Sequence, residues 1–404
     1  MARENETLKR IVCAEVDRIG EELVAASDHL AHNPELGYQE FKSVASLREL
    51  LAKHGIAGET GIAGMPTALR AELPGGNPKP RIAILAEYDA LPEIGHGCGH
   101  NIIGTSAVGA AIALHRVSGY LDGSAVLFGT PCEESTAPGA GGKVPMVVAG
   151  LFDDVDAAIM MHPGTQNLVA MQSSLAARGF DFEFTGRAAH AAARPYEGIN
   201  ALDAVILTFN GINALRQHVK PDVRIHGIIT RGGGAANVVP AFASCRIRVR
   251  SESATYLDEV VQRVIRCAEG AALMSGATLQ WREYANPYAN FIPNKVLNDV
   301  ARANLEKLGL AVDEEPYEPG MGSTDLGNVS FKTPAMYFRL AISTDKEVRG
   351  HSAEFAAATL TPQGHHALLN AAKALAMTAI DLIADPQALK TAREEWMRAL
   401  DQRK

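Results

Sequence analysis

Apolar residues recur along the chain with a helical spacing in some segments and as short strand-like runs in others. A helical spacing extends over residues 8–31, and a second one over residues 40–54. Two strands are predicted next, at residues 67–73 and 81–87, and the residues between them are rich in proline and glycine. Such a link is typical of a turn, so we expect these two strands to pair as a hairpin.

The alternation of helices and strands continues beyond this predicted hairpin. Residues 102–115 are rich in alanine, glycine and serine, which predicts a helix packed closely against the sheet. Strands are predicted at residues 125–129 and 157–161, with a helix at residues 144–149 between them. Strands that alternate with helices are typical of layered α/β proteins, so we expect an α/β fold.

The pattern changes near Phe180. From there to residue 284 the predicted order is β-α-β-β-α-β, which is a split βαβ unit and forms a small domain of its own. The first pattern then resumes with a helix at residues 294–308, a strand at 335–340 and a helical region at 363–383. We therefore predict one domain from residues 1–178 and 288–404, interrupted by a second domain at residues 179–287.

Composition narrows the function classes. The chain has 404 residues, 47% of them hydrophobic, which is enough for two cores. A net charge of −8 disfavours binding to nucleic acid or to an anionic membrane, because both need a basic surface. The first ten residues lack the apolar stretch of a secretion signal, and the five cysteines are too irregularly spaced for a disulfide framework. We expect a cytoplasmic protein that acts on a small molecule.

Side chains that bind metals follow several predicted strands. In open α/β sheets, ligands bind beyond the carboxyl ends of the strands, so residues that follow different strands meet at one edge. The side chains placed in this way are Asp89, Cys98, His100, Glu133, Glu134, His162 and His351. A thiolate, imidazoles and a carboxylate suit zinc, and they also admit manganese or cobalt. The sequence therefore predicts a dinuclear metal hydrolase.

Each of these residues also has a purely structural interpretation. Cys98 could be a small buried hydrophobic residue, and Glu133 with Glu134 could be a solvated acidic pair. His162 could be an ordinary turn residue, and His351 could cap a helix. Their shared position after strands is what favours a metal site.

Seven short motifs carry a family resemblance. They are NPELGYQE at 33–40, EYDALP at 87–92, CGHN at 98–101, EE at 133–134, GRAAH at 186–190, NVVP at 237–240 and GSTD at 322–325. The chain resembles the aminoacylase and carboxypeptidase-G type di-metal metallopeptidases over about residues 20 to 385. Within that family it is similar to the amidohydrolase branch, which contains aminobenzoyl-glutamate hydrolase, an aminoacylase-like dipeptidase and auxin-conjugate hydrolases.

The resemblance implies an architecture and an assembly. It implies a zinc-peptidase-like catalytic α/β/α sandwich interrupted by a ferredoxin-like lid, through which two subunits form a homodimer. It also implies two divalent metal ions per subunit, with zinc preferred over manganese or cobalt. Cys98 would bridge them, with His100 and Glu134 on one side and His162 and His351 completing the pair.

The resemblance also implies the roles of the remaining residues. Asp89 would orient a histidine ligand, and Glu133 would be the general base for a water that bridges the metal ions and attacks an amide carbonyl. Glu133 would then return the proton to the departing amine. His190 of the partner subunit would stabilise the oxyanion, and Asn237 would hold the substrate carboxylate.

Departures from the auxin-conjugate pattern inform the substrate. Those relatives carry Asp and a second His after Cys-Gly-His, whereas Asn101 and Ile102 follow here. We therefore expect N-acyl or N-aroyl amino acids, or small dipeptides. An arginine that binds the substrate carboxylate is not singled out, and Arg187, Arg231 and Arg248 are the alternatives.

Two other function classes stay open at this point. A thiol hydrolase without metal would use Cys98 as nucleophile and His100 as base, but this leaves Glu134, His162 and His351 without a role. A non-catalytic binding protein on the same fold would have no need of Glu133 as a spare base.

Overall fold

The computed structural model describes residues 2–134, 137–314, 322–345 and 347–402. These residues form two compact units. Unit 1 contains the described residues up to Ser173, from Phe291 to residue 314, and from Asp325 onward. Unit 2 contains Ser174–Asn290 together with residues 322–324. The boundaries predicted from the sequence were after residue 178 and after residue 287.

The helices and strands are numbered in chain order. The α-helices are α1 (Ala2–Arg18), α2 (Gly20–His32), α3 (Phe41–Lys53), α4 (His100–Val117), α5 (Lys143–Val148), α6 (Ala201–Leu215), α7 (Ala254–Ser275), α8 (Lys295–Lys307), α9 (Leu326–Ser330), α10 (Ala353–Ala358), α11 (Pro362–Ala384) and α12 (Pro386–Asp401). The strands are β1 (Gly58–Thr60), β2 (Leu69–Leu73), β3 (Arg81–Ala86), β4 (Ser124–Gly129), β5 (Ala157–Gly164), β6 (Leu168–Val169), β7 (Ala176–Thr185), β8 (Arg224–Arg231), β9 (Phe242–Ser251), β10 (Thr278–Glu283) and β11 (Ala335–Ala341).

Unit 1 is built on a seven-stranded sheet in the order β1-β2-β4-β3-β5-β11-β6. The pairs β4/β3, β3/β5 and β5/β11 are parallel, and the remaining pairs are antiparallel. Residues Ile82 to Ala86 of β3 are all buried, as expected for a parallel strand covered on both faces. The carboxyl ends of the four parallel strands therefore lie at one edge of the sheet.

The predicted hairpin of β2 with β3 is wrong. Strand β4 lies between them, antiparallel to β2 and parallel to β3. Leu69 of β2 is opposite Gly129 of β4, and Arg81 of β3 is beside Ser124 of β4. Turn residues show that the chain leaves a strand, but they do not determine which strand becomes its neighbour. Here the β3-α4-β4 crossover returns the chain to the position beside β3 that a hairpin would have used.

The small residues of α4 allow it to lie close to its neighbours, as predicted. A Cβ atom on Gly104 would lie 2.8 Å from the carbonyl oxygen of Glu87, and one on Gly109 would lie 2.8 Å from Leu23. The stretches His100–Tyr120 and Pro362–Ala384 are long and apolar enough to span a membrane by length and composition only. In each of them 78% of the tested residues are buried, as is usual for core helices.

Unit 2 has the predicted order β-α-β-β-α-β. Its four-stranded antiparallel sheet runs β10-β7-β9-β8, with α6 and α7 packed on it. Phe180, Phe182 and Phe184 of β7 are fully buried. This is a ferredoxin-like arrangement, and the α/β fold class is confirmed for the chain.

Candidate metal centre

All five predicted metal ligands lie together in unit 1. Cys98 and His100 lie between β3 and α4 or at the start of α4, Glu134 follows β4, His162 lies near the end of β5, and His351 lies between β11 and α10. We call these five residues the ligand cluster. Potential ligand atoms within 4.8 Å of one another form one group of Cys98, His100 and His162, and another of Cys98, Glu134 and His351. Cys98 is thus common to both groups, which place His100 with His162 and Glu134 with His351, whereas the resemblance implied His100 and Glu134 on the same side.

The polar atoms of the ligand cluster are positioned for a cation. The Sγ atom of Cys98 is 3.4 Å from His162 Nε2, and His351 Nε2 is 3.2 Å from Glu134 Oε1. His100 Nε2 and Glu134 Oε1 are buried, and no described residue makes a hydrogen bond of normal geometry to either atom. Buried polar atoms without such bonds are unfavourable, and a metal ion would satisfy both. The donor set of thiol, imidazole and carboxylate therefore fits a divalent metal ion.

Asp89 is a buried carboxylate that contacts two members of the ligand cluster. Its Oδ1 lies 3.0 Å from His100 Nδ1, and its Oδ2 accepts a hydrogen bond of 2.9 Å from the backbone N–H of Glu134. When His100 Nδ1 donates to Asp89, its Nε2 is an acceptor that faces the cluster. His162 is oriented similarly, because its Nδ1 is 2.7 Å from the carbonyl oxygen of Pro163.

Gly99 places Cys98 and His100 at the start of α4. Its φ of +75° lies in the left-handed region, and a Cβ atom there would be 2.7 Å from Pro163. Burial opposes ionisation of the Cys98 thiol, but the charges of His162 and His100 outweigh it and lower the pKa of Cys98 to about 6. A thiolate is the form that binds metal. The neighbouring Cys98 thiol and the Glu134 carboxylate, whose Oε1 is 3.2 Å from His351 Nε2, raise the pKa of His351 to about 10.

Glu133 lies between the ligand cluster and a second group of acidic residues. Its carboxylate lies within 4.8 Å of ligand atoms of His100 and Glu134, and also of Glu87 and Asp325. Desolvation, followed by the charges of Glu87, Glu134 and Asp325, raises the pKa of Glu133 well above its ordinary value. A high pKa suits a group that takes up a proton during a reaction.

The second group contains its own cation. Lys143 Nζ is 2.6 Å from Glu87 Oε1 and 2.5 Å from Asp325 Oδ1, and the Lys143 backbone N–H donates to Asp325 Oδ2 at 2.9 Å. We call Glu87, Lys143 and Asp325 the lysine cluster; all three side chains are at most 1% exposed. Glu87 Oε2 is also 3.5 Å from His100 Nε2. Sequence reasoning missed this cluster, because a lysine at the start of a predicted helix gives no signal of burial.

The loop that carries Glu133 is braced by the motif at residues 33–40. Glu40 accepts a hydrogen bond of 2.9 Å from the Cys132 backbone N–H and one of 2.7 Å from Thr67 Oγ1. Burial, and then the charge of Asp89, raises the pKa of Glu40 to about 7. The Tyr38 hydroxyl donates to the carbonyl oxygen of Gly139 at 2.6 Å. The backbone beside the base is thus fixed by side chains from the N-terminal part of the chain.

His190 and Asn237 are neighbours in unit 2, where both are exposed. The Ala191 N–H donates to the Asn237 carbonyl oxygen at 3.0 Å. His190 Nδ1 accepts from the N–H groups of Ala192 and Ala193, each at 3.2 Å. In that state the ring proton is on Nε2, which is then a hydrogen-bond donor. The roles of His190 and Asn237 stay predictions.

The three candidate arginines also lie in unit 2. Arg187 donates to the carbonyl oxygen of Glu197 at 2.5 Å, and Arg231 lies over the ring of Phe242 at 5.1 Å. Arg248 lies 5.6 Å from the centre of the Tyr288 ring, and its buried Nε has no partner among the described residues. The buried Nε of Arg248 therefore remains able to donate to a ligand.

Comparison with known proteins identifies the family of this chain. Residues 83–375 match the family described as peptidase family M20/M25/M40. Xaa-Arg dipeptidase of Mus musculus is 36% identical, over 98% of this chain and 93% of that protein. A p-aminobenzoyl-glutamate hydrolase chain of Escherichia coli (strain K12) is 31% identical, over 93% of this chain and 92% of that protein.

A solved structure shows the same fold. The YXEP protein of Bacillus subtilis, described as a dinuclear metal binding peptidase from the M20 family, superposes with a TM-score of 0.66. Its sequence is 22% identical, and the match covers 91% of this chain and 99% of that one.

Fold, ligand cluster and relatives together define a metal-dependent hydrolase of amide bonds. The sequence-based resemblance to the di-metal metallopeptidases is confirmed. The chain belongs to peptidase family M20/M25/M40.

Proposed function

We propose that the protein is a dinuclear zinc amidohydrolase that cleaves N-acyl or N-aroyl amino acids or small dipeptides, with manganese or cobalt as alternative metals. The observation that carries this proposal is Cys98, which is common to two groups of ligand atoms directly beside Glu133. The relatives named as a dipeptidase and as an aminobenzoyl-glutamate hydrolase support small amide substrates.

The ligand cluster would hold the metal ions. Cys98 with His100 and His162 would form one site, and Cys98 with Glu134 and His351 the other. Thiolate and imidazole ligands favour zinc over magnesium or calcium. Bound divalent ions supply a Lewis acid that polarises the amide carbonyl and makes water a better nucleophile.

Glu133 would transfer the proton during hydrolysis. It takes a proton from water as the oxygen of that water forms a bond to the amide carbon, and it gives the proton to the nitrogen as the C–N bond breaks. The products are a carboxylate and an amine. The raised pKa of Glu133 supports this role, because a stronger base accepts the proton more readily.

Unit 2 would complete the active enzyme as a homodimer, with His190 of the partner subunit donating through Nε2 to the oxyanion. The edge strand β8 supports an interface there, because Ile228 is 64% exposed and Ile229 is 46% exposed. Apolar side chains on an unpaired sheet edge are characteristic of association surfaces. Light scattering after size-exclusion chromatography would measure the mass, and a monomer at micromolar concentration would contradict this assembly.

Metal removal and one variant test the proposal. Chelation should abolish hydrolysis of acyl-amino acids, aminobenzoyl-glutamate and β-alanyl dipeptides, and zinc, manganese or cobalt should restore it. Glu133→Gln should lower kcat by about 10² to 10⁴-fold with the metal content unchanged. Glu59→Gln, an exposed glutamate on β1, is the matched control. Full activity after chelation would indicate a thiol hydrolase, and full turnover by Glu133→Gln would exclude its role as base.

A further inference from the structure

A cavity of about 590 Å³ lies beside the ligand cluster in unit 1. Cys98 and His162 are on its wall, so the cavity adjoins the candidate metal centre. Its volume is in the range that holds small ligands. Among the described residues that line it, none has an acidic side chain, and two, Arg339 and Arg349, are cationic. The described lining of the cavity is therefore positively charged.

The sheet register places Arg339 next to a metal ligand. On β11, Arg339 is the parallel partner of His162 on β5 and the antiparallel partner of Leu168 on β6. Paired residues on neighbouring strands point to the same face of a sheet. His162, Arg339 and Leu168 thus form one row across the sheet, and all three line the cavity.

Arg339 has no carboxylate partner within 4.0 Å among the residues that the structure describes. Its Nη2 donates to the Tyr337 hydroxyl at 3.4 Å, which leaves most of its five N–H donors for a ligand. Two other arginines with low exposure, by contrast, are paired with carboxylates. Arg81 is 11% exposed and lies 2.9 Å from Glu72, and Arg178 is 21% exposed and lies 2.5 Å from Glu283.

Arg349 contributes charge at the mouth of the cavity but does not match Arg339 as a binding group. It is 82% exposed, and its guanidinium lies 4.0 Å from Glu347. An exposed charge is strongly hydrated, whereas a half-buried guanidinium in a cavity binds an anion with less competition from water. Arg339 is therefore the residue expected to discriminate between ligands.

We propose that Arg339 binds a side-chain carboxylate of the substrate, so that the enzyme prefers amides of acidic amino acids over neutral or cationic ones. This inference rests on the proposed amidohydrolase function and adds the substrate class. A guanidinium and a carboxylate form two parallel hydrogen bonds, which recognise both the charge and the planar shape of the ligand. A cationic residue in the same cavity would be repelled by Arg339 and Arg349.

Paired substrates test this inference with the metal-loaded enzyme. p-Aminobenzoyl-glutamate and p-aminobenzoyl-glutamine differ only in the side-chain charge and its hydrogen bonding. The wild type should favour the glutamate by about tenfold or more in kcat/KM. Arg339→Gln should lower kcat/KM for the glutamate about 10- to 100-fold, through KM, and leave the glutamine within about threefold. Arg339→Lys should retain part of the preference for the glutamate, because lysine keeps the positive charge but lacks the two parallel N–H donors of the guanidinium.

A control and a binding measurement separate this inference from the proposed function. Arg10→Gln removes an exposed arginine of α1 that does not line the cavity, and it should leave both substrates unaffected. Calorimetry on Glu133→Gln, with and without Arg339→Gln, measures the affinity for intact p-aminobenzoyl-glutamate without turnover. Each variant is first checked for folding by thermal unfolding, and Arg339→Lys carries the test if Arg339→Gln does not fold.

Two results would overturn the inference. One is a wild type that hydrolyses the glutamate and the glutamine equally well. The other is an Arg339→Gln variant in which kcat/KM falls equally for the glutamate and the glutamine. If no amide is hydrolysed at all, the proposed function fails, whereas tight binding of the glutamate that depends on Arg339 would still support the subsite.

Discussion

The ligand cluster and the lysine cluster lie side by side in unit 1. They differ in how the negative charge of their buried carboxylates is compensated. In the lysine cluster, Lys143 supplies the positive charge that two buried carboxylates need. In the ligand cluster, His351 Nε2 lies 3.2 Å from Glu134 Oε1, but no described residue makes a hydrogen bond of normal geometry to that buried oxygen or to the buried His100 Nε2. Buried anions need a partner of opposite charge. The difference indicates which group of residues is complete by itself and which has ligand atoms left for an ion from solution.

The test with the largest expected effect removes the positive charge of Lys143 from the lysine cluster. Lys143→Met leaves Glu87 and Asp325 buried without their partner, so we expect the free energy of unfolding to fall by about 3 to 5 kcal/mol. Urea unfolding followed by circular dichroism measures the loss. Lys295→Met is the matched control, since Lys295 is 64% exposed and pairs with Asp299 on the surface. Its expected effect is about 0.5 kcal/mol. Equal losses in both variants would show that Lys143 does not compensate the buried carboxylates.

A second test titrates the lysine cluster with acid. Burial opposes ionisation of Glu87, but the charges of Lys143 and His100 outweigh it and lower the pKa of Glu87 from 4.5 to about 2. The stabilisation is therefore present above about pH 4.5 and is lost as the pH falls towards 2, by at most about 3 kcal/mol. Unfolding free energies of wild type and Lys143→Met between pH 7 and 3 should converge at low pH. Curves that stay parallel would contradict this account.

The smallest expected effect concerns the ligand cluster. Asp89→Asn weakens the contact with His100 Nδ1 while it keeps the size of the side chain. We expect the metal affinity to fall about 10- to 100-fold, which is about 1.4 to 2.7 kcal/mol. Competition with a chromophoric chelator measures it. Asp28→Asn changes a similar pair, 2.9 Å from His365 and outside the cluster, and should not alter metal affinity.

The sequence was most informative where one strong pattern determines the structure. The order of elements in unit 2 and the small-residue helix α4 were predicted correctly, because their apolar spacing extends over many residues. The convergence of Cys98, Glu134 and His351 was predicted for a related reason. Residues that follow parallel strands must meet at one edge of the sheet, wherever they lie in the chain.

Other features depend on contacts that no local pattern records. Strand β4 separates β2 from β3, and only the path of the β3-α4-β4 crossover decides this order. Lys143 binds Glu87, 56 residues away, and Asp325, 182 residues away. Neither partner could be inferred from the residues around Lys143. Charge compensation over such distances becomes visible only when the fold is known.

The close approach of Gly37 to Cys132, in the loop that carries Glu133, limits which substitutions this enzyme can accept. Cys132 has a φ of +56°, and a Cβ atom on Gly37 would lie 2.2 Å from its Sγ. Any larger residue at position 37 would push against the residue that immediately precedes the base. Position 37 can therefore accept a larger residue only together with a change at position 132, and a search for altered activity by single substitutions would find position 37 closed.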